Sequence, residues 1–228
     1  NLSMVVHCGE RIALFAPSGA GKTTLIRILA GLELPTSGNY FLREEEPVTI
    51  FQEPRLFPFL TVEENICLPF KARRQVVDSD IRRRFNEWLE VCELSSFRNY
   101  YPHQLSGGMK QKVSLIRGLL GNPRFVMMDE PFQSIGADSK QAIVSYLLQT
   151  NPTMTLLFIT HIRDEAPLIA HQVIYFQRPC LTEAIQMPVE CFQQSVFHFR
   201  SPGNFTWQSH LSRETVEFSA VKTPDGII

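Results

Sequence analysis

RIALFAPSGAGKTTLIRILAGL, residues 11–32, is the stretch on which the fold turns. RIALFA (11–16) is a short apolar run with the look of a buried strand, and Lys22 to Leu32 has the character of a helix. Between them APSGAGKTT, Ala16 to Thr24, follows the pattern G-x-x-x-x-G-K-[ST] except that alanine stands first. In a strand, loop, helix context such a loop turns backbone N–H groups and a helix N-terminus toward phosphate oxygens. Gly19 and Gly21 give close backbone approach, Lys22 a point charge for the β and γ phosphates, and the Thr23 hydroxyl a ligand for Mg²⁺. Ala16 sits at the strand exit, where alanine costs about 1 kcal/mol only if φ must be positive.

Further apolar runs bounded by turn residues occur at PVTIFQ (47–52), RFVMMD (124–129), TLLFIT (155–160) and QVIYFQ (172–177). Each reads as a buried strand, and helix-like stretches lie between them at Ser106–Leu120, Ser139–Leu148 and Arg163–Ala170. Strands alternating with helices predict an α/β fold, a mainly parallel sheet flanked by helices on both faces. From about residue 60 to 105 the alternation breaks into two helical stretches, around Glu63–Phe70 and Asp80–Cys92, which read as a helical insertion. The expected division is a nucleotide-binding domain over 1–178 and a short extension over 179–228. The extension includes the aromatic segment FHFRSPGNFTW (197–207), read as short strands or loops.

The rest of a nucleotide site is spread along the chain. FVMMDE (125–130) sets Asp129 and Glu130 at the carboxyl end of a strand, where ligands of parallel sheets bind. One carboxylate can help hold Mg²⁺ while its neighbour takes a proton from attacking water. LSGGMKQK (105–112) is a serine and two glycines opening a helix, a second place where backbone N–H groups point outward. Gln52 and His161 end two further strands. A single active site scarcely needs two such cradles.

Composition narrows the classes of function. The 228 residues carry 22 Lys+Arg against 23 Asp+Glu, a net charge of -1, which makes no case for a nucleic-acid partner. No apolar run approaches the ~18 residues of a membrane span, so a membrane role would be borrowed from a partner. Cys8, Cys67, Cys92, Cys180 and Cys191 form no C-x-x-C pair and read as buried free thiols. Arg82, Arg83 and Arg84 read as a solvated face.

Taken in order, APSGAGKT, Gln52 in FQEPRLFP, LSGGMKQK, FVMMDE and His161 in FITHIRDEA strongly resemble the ATP-binding subunits of ABC transporters. The resemblance runs from about Cys8 to Gln177, and the wording FQEPRLFPFLTVEEN is similar to importers of nitrate, sulfonates, taurine or thiamine precursors. It implies a P-loop NTPase-like α/β fold with a helical insertion, ATP and Mg²⁺ as cofactors, and a head-to-tail homodimer with ATP between the phosphate loop of one subunit and the LSGG element of the other. ATP would be held by Ser18, Gly19, Ala20, Gly21, Lys22, Thr23 and Thr24, with Ser106, Gly107 and Gly108 acting in trans. Thr23, Asp129 and Gln52 would serve Mg²⁺, Glu130 would be the general base, and His161 would reach the γ-phosphate. The implied partners are transmembrane permease subunits and, indirectly, a solute-binding protein, at the cytoplasmic face of the cell membrane.

Three departures accompany the resemblance. Gly136 stands where the family has an aspartate after the acidic strand, and Asp138 is two residues late. The family's upstream strand with an adenine-stacking aromatic has no counterpart from Asn1 on. The segment from Gly38 to Gln52 is short, and the tail after Gln177 matches nothing in the family. The alternative reading is a nucleotide-gated regulatory or binding module with weak turnover.

Overall fold

The computed structural model describes residues 4–16, 19–42, 47–176, 184–201, 204–209, 215–219, 222–223 and 226–227, with Ala184 and everything from residue 194 on as backbone alone. The main sheet contains β1 (Arg11–Phe15), β2 (Val48–Ile50), β3 (Phe125–Asp129), β4 (Thr155–Thr160), β5 (Gln172–Phe176) and β6 (Ala184–Pro188). Their spatial order is β2-β3-β4-β1-β5-β6. The first five strands run parallel and β6 antiparallel, so the sheet continues past residue 178. The helices are α1 (Lys22–Leu29), α2 (Val62–Ala72), α3 (Ser79–Val91), α4 (Gly107–Leu119), α5 (Ala137–Thr150), α6 (Ala166–Ile169) and α7 (Val189–Gln194). Beyond them the backbone of β7 (Ser195–Ser201), β8 (Asn204–Ser209) and β9 (Thr215–Ser219) pairs as an antiparallel meander, which takes in most of the aromatic segment.

The strands are apolar throughout because both faces of the sheet are buried. On β3, Val126 and Met128 face a core shared with Ile66 of α2, Trp88 of α3, Ile116 of α4 and Ile143 of α5. Phe125 and Met127, one residue out of phase, face a second core with Ile26 of α1.

Several elements differ in extent from their expected spans. The strand expected over 47–52 stops at Ile50, leaving Gln52 exposed two residues beyond it. Helix α1 ends at Leu29 rather than Leu32, because Gly31 turns left-handed at φ 70° just past the cap. Helix α5 is longer than Ser139–Leu148 at both ends. The stretch 163–170 divides into a 3₁₀ turn, Arg163–Glu165, and the single-turn α6. The insertion contains α2 and α3, and α2 opens with a reciprocal cap between Thr61 and Glu64. Of the three arginines read as a solvated face, Arg82 and Arg83 are exposed, but Arg84 is partly buried against Asp80. Cys67 and Cys92 are buried and Cys191 is partly so, whereas Cys8 is exposed, and Cys180 lies outside the described residues. Burial pushes the Cys92 thiol up to about 12, which keeps it protonated and inert.

Candidate active site

Parallel register brings the scattered motifs to one edge. Leu14 and Asp129 both pair with Ile159, and Ile50 pairs with Met128 one row earlier. The chain therefore leaves β1, β2, β3 and β4 at the same end of the sheet, delivering the phosphate loop, Gln52, Glu130 and His161 to a common rim.

The phosphate loop is built as its residue types require. Gly19 and Gly21 take φ 78° and 91°, the left-handed region that side chains resist, and Gly21 is the N-cap of α1. Ser18 lies outside the described residues. Lys22 is 6% exposed and donates from Nζ to the Ala16 carbonyl at 2.7 Å. Desolvation lowers its pKa, opposed in part by the charges of Glu130 and Asp129. Ala16 is 1% exposed and is not among the residues with positive φ, so alanine is unstrained there. Ala16→Gly is therefore expected to lose about 1 kcal/mol through added unfolded-state entropy. Paired thermal melts with and without Mg-ATP check this. A variant that melts higher, or that binds ATP more tightly, would mean the natural loop is strained.

Asp129 is 2% exposed at the end of β3, and one of its oxygens has no hydrogen-bond partner among the described residues. Burial raises its pKa, while a hydrogen bond from Thr23 and the Lys22 charge oppose the rise. A buried carboxylate with an open oxygen beside a hydroxyl is a hard donor set. It fits a small divalent cation that takes one or two protein oxygens and keeps its other positions for phosphate and water.

Glu130 follows in a left-handed conformation, φ 46°, unfavourable for a residue with a side chain. Its N–H still continues the sheet by donating to Ile159 O at 2.9 Å. The turn brings its carboxylate between two donors. Gln52 Nε2 lies 3.3 Å from Oε2, and His161 Nδ1 lies 2.8 Å from Oε1. Gln52 also donates to Gln133 Oε1 at 2.9 Å. Since His161 must carry its proton on Nδ1 to make this bond, Nε2 is an acceptor in the neutral ring and a donor only in the imidazolium. The structure thus gathers Gln52, Glu130 and His161 into one cluster.

The LSGG element lies on α4, which packs against α2 and edge strand β2, whereas α1 packs on β3. Ser106 is the N-cap and accepts from Met109 N at 3.3 Å. A Cβ on Gly108 would come within 2.4 Å of the Ser134 carbonyl, so glycine is required there by the loop that follows β3.

These features coincide with a family-wide match: the profile described as ABC transporter covers residues 1–133. The chain belongs to the ABC transporter family.

Among relatives of this ABC transporter chain is the spermidine/putrescine import ATP-binding protein PotA of Nitrosospira multiformis, 38% identical over 87% of the chain and 58% of that protein. Another is the sulfate/thiosulfate import ATP-binding protein CysA 2 of Rhizobium meliloti, 35% identical over 87% of the chain and 58% of that protein. The chain thus spans little more than half the length of these relatives. Of solved structures, the dimeric MJ0796, a bacterial ABC transporter cassette, superposes with a TM-score of 0.72 at 27% identity, over 83% of this chain and 89% of that one. A second structure of the same cassette, with the same coverage, is a post-hydrolysis state bound to ADP and Pi.

Sequence reading missed several residues that hold this ABC site, or the 57–61 turn beyond it, in place. Gln133 is the second acceptor for Gln52. Glu165, 3% exposed, accepts from the Thr160 hydroxyl at 2.6 Å and pairs with Lys140 of α5 at 2.5 Å. It thereby anchors the residue just before His161. Asn65, fully buried, accepts from Phe57 N and donates to the carbonyls of Phe57, Leu60 and Thr61. The available signal was a polar residue inside an otherwise apolar helical face, as in TVEENICLPF.

Proposed function

We propose that the chain binds ATP with Mg²⁺, hydrolyses it, and couples hydrolysis to solute import through membrane permease subunits. The observation that carries this reading is the buried charge pair of the site: Lys22 desolvated in the phosphate loop and Asp129 with an open oxygen beside Thr23. Burial disfavours the charged form of each, and a phosphate chain with its cation would favour both charges. Lys22 would meet the β and γ phosphates, while Thr23 and Asp129 would hold Mg²⁺, with Gln52 near it. Mg²⁺, when bound, supplies charge neutralisation at the phosphoryl oxygens. Glu130 takes the proton of the attacking water, and Gln52 and His161 hold its carboxylate in place.

The exposure of Ser106 and Gly107 supports a head-to-tail dimer in which they complete the partner's site. Strands β1 and β2 are three positions apart, about 14 Å at ordinary strand spacing, so the phosphate loop and α4 belong to different parts of one chain. Dimerisation of the related cassette agrees with this reading. Phe57 and Phe59, 52% and 86% exposed beside the Asn65-tied turn, form the apolar surface for a permease. Among the described residues no helix is long and apolar enough to cross a membrane. The working position would be peripheral, at the cytoplasmic face, with residues 1–178 as the ATP-binding unit and 179–228 as an extension whose first strand, β6, completes the sheet of that unit. Relatives at 38% and 35% identity carry polyamine and sulfate names, a cation and an anion, so likeness in this part of the chain does not select the solute. A small anion or organic nutrient of the nitrate or sulfonate kind remains our proposal for it.

A regulatory module with weak turnover is favoured by one feature. Gly136 is the N-cap of α5 and offers no side chain to cap it, where the family's aspartate would. Mg-ATP titration separates the core reading from its failure. Lys22→Ala is expected to lose ATP affinity, since no other cation is placed by the motif to meet the β and γ phosphates. Equal binding by wild type and variant would overturn the phosphate-loop reading, and tight binding without hydrolysis in permease-containing vesicles would favour the regulatory module.

A further inference from the structure

The segment after β2 carries Gln52 away from the sheet, and its next backbone carbonyls are held by one side chain. Arg117, on the last turns of α4, donates from Nη2 to Pro54 O at 2.7 Å and from Nη1 to Arg55 O at 2.9 Å. Arg55 is left-handed at φ 46°, and its guanidinium stacks 4.1 Å over the Phe51 ring, so the turn is bent back on itself. The residue next to Arg117 fixes the other side of Gln52. A Cβ on Gly118 would lie 2.9 Å from Ile50 Cδ1 and 3.2 Å from Val48 Cγ1, so glycine at that position lets α4 lie directly on β2 without displacing the Ile50 side chain. Consecutive residues of one helix therefore bracket Gln52, Gly118 beneath the strand before it and Arg117 across the turn after it.

We propose that Arg117 is a positioning residue for Gln52, tying the turn that carries it to the helix that opens with Ser106. The inference rests on the ATPase reading for its kinetic consequence only. The planar guanidinium fork satisfies two successive carbonyls at once, which a lysine ammonium on a flexible stem does not reproduce. From Ser106 to Arg117 the helix spans about 16 Å of rigid rod. A shift of the LSGG end is thereby delivered to the turn that carries Gln52, and through it to Glu130, to which Gln52 donates at 3.3 Å.

The test uses the full chain carrying Arg117→Lys and, separately, Arg117→Gln. Amide hydrogen exchange over residues 52–56 is expected to quicken about tenfold in both variants, while exchange within 111–116 of α4 changes less than twofold. ATP turnover should fall about tenfold in kcat with the KM for ATP unchanged within twofold, and the lysine variant should recover neither. Unchanged exchange over 52–56 in the folded glutamine variant overturns the proposal. So does faster exchange spread along all of α4 with kcat per folded molecule intact, which is what a merely structural arginine would give. Absence of hydrolysis in the wild type would count against the ATPase reading, and the exchange measurement would still decide the role of Arg117.

Discussion

Glu130→Gln is expected to retain Mg-ATP binding and to lower turnover by roughly a hundredfold or more, the usual loss when a general base is removed. The substitution is nearly isosteric, and the surroundings can absorb it. The carboxylate accepts from both Gln52 and His161, whereas an amide offers one acceptor and one donor edge. A change of the His161 tautomer, or a concerted flip of the Gln52 and Gln133 amides, restores complementarity without moving backbone. The left-handed turn at residue 130 is held by its N–H to Ile159 O and does not depend on the side-chain charge. Folding should therefore be preserved, and the effect should fall on kcat. Steady-state phosphate release, with binding followed by titration, checks this. Wild-type turnover in the variant would remove Glu130 from the role of base, and loss of binding would mean that its charge serves the nucleotide instead.

The second large effect is expected at Glu165, whose carboxylate accepts the Thr160 hydroxyl and pairs with Lys140 at 2.5 Å. The side chains of Lys140 and Glu165 are 14% and 4% exposed, so removing the carboxylate leaves an ammonium with little access to water. Breaking one partner out of such a buried pair typically costs about 3–5 kcal/mol, whereas replacing both by apolar residues is often close to neutral. Glu165→Ala should lower the melting temperature by roughly 6–20 °C for a domain of this size. The double variant Lys140→Met with Glu165→Leu should recover most of that loss. Additive losses in a double-mutant cycle would show that the pair is not coupled. The loss should reach the site as well, since Thr160 immediately precedes His161 and its hydroxyl also accepts from Ile162 N at 3.0 Å.

The sequence alone settled the parts that depend on local chemistry. Strand, loop and helix were legible at 11–32 because an apolar run, two glycines and a periodic segment are each short-range signals, and the five parallel strands were found for the same reason. Asp129 and Glu130 could be read as site residues because strand ends in parallel sheets share an edge. The helical insertion was visible as a break in alternation. What stayed hidden arises from contacts between residues far apart in the chain. Lys140 and Glu165 are 25 residues apart and Arg117 and Pro54 are 63, so no period or motif links them; the family resemblance put Gln52, Glu130 and His161 at one site but did not give the hydrogen bonds that join them. Strand ends were overestimated at Gln52 because apolar character continues through Phe51 after the ladder has stopped at Ile50. Whether Ala16 was strained depended on its φ, which residue type does not encode and which the surrounding packing sets. Register and packing across the sheet, not composition, decided which polar groups meet at Glu130.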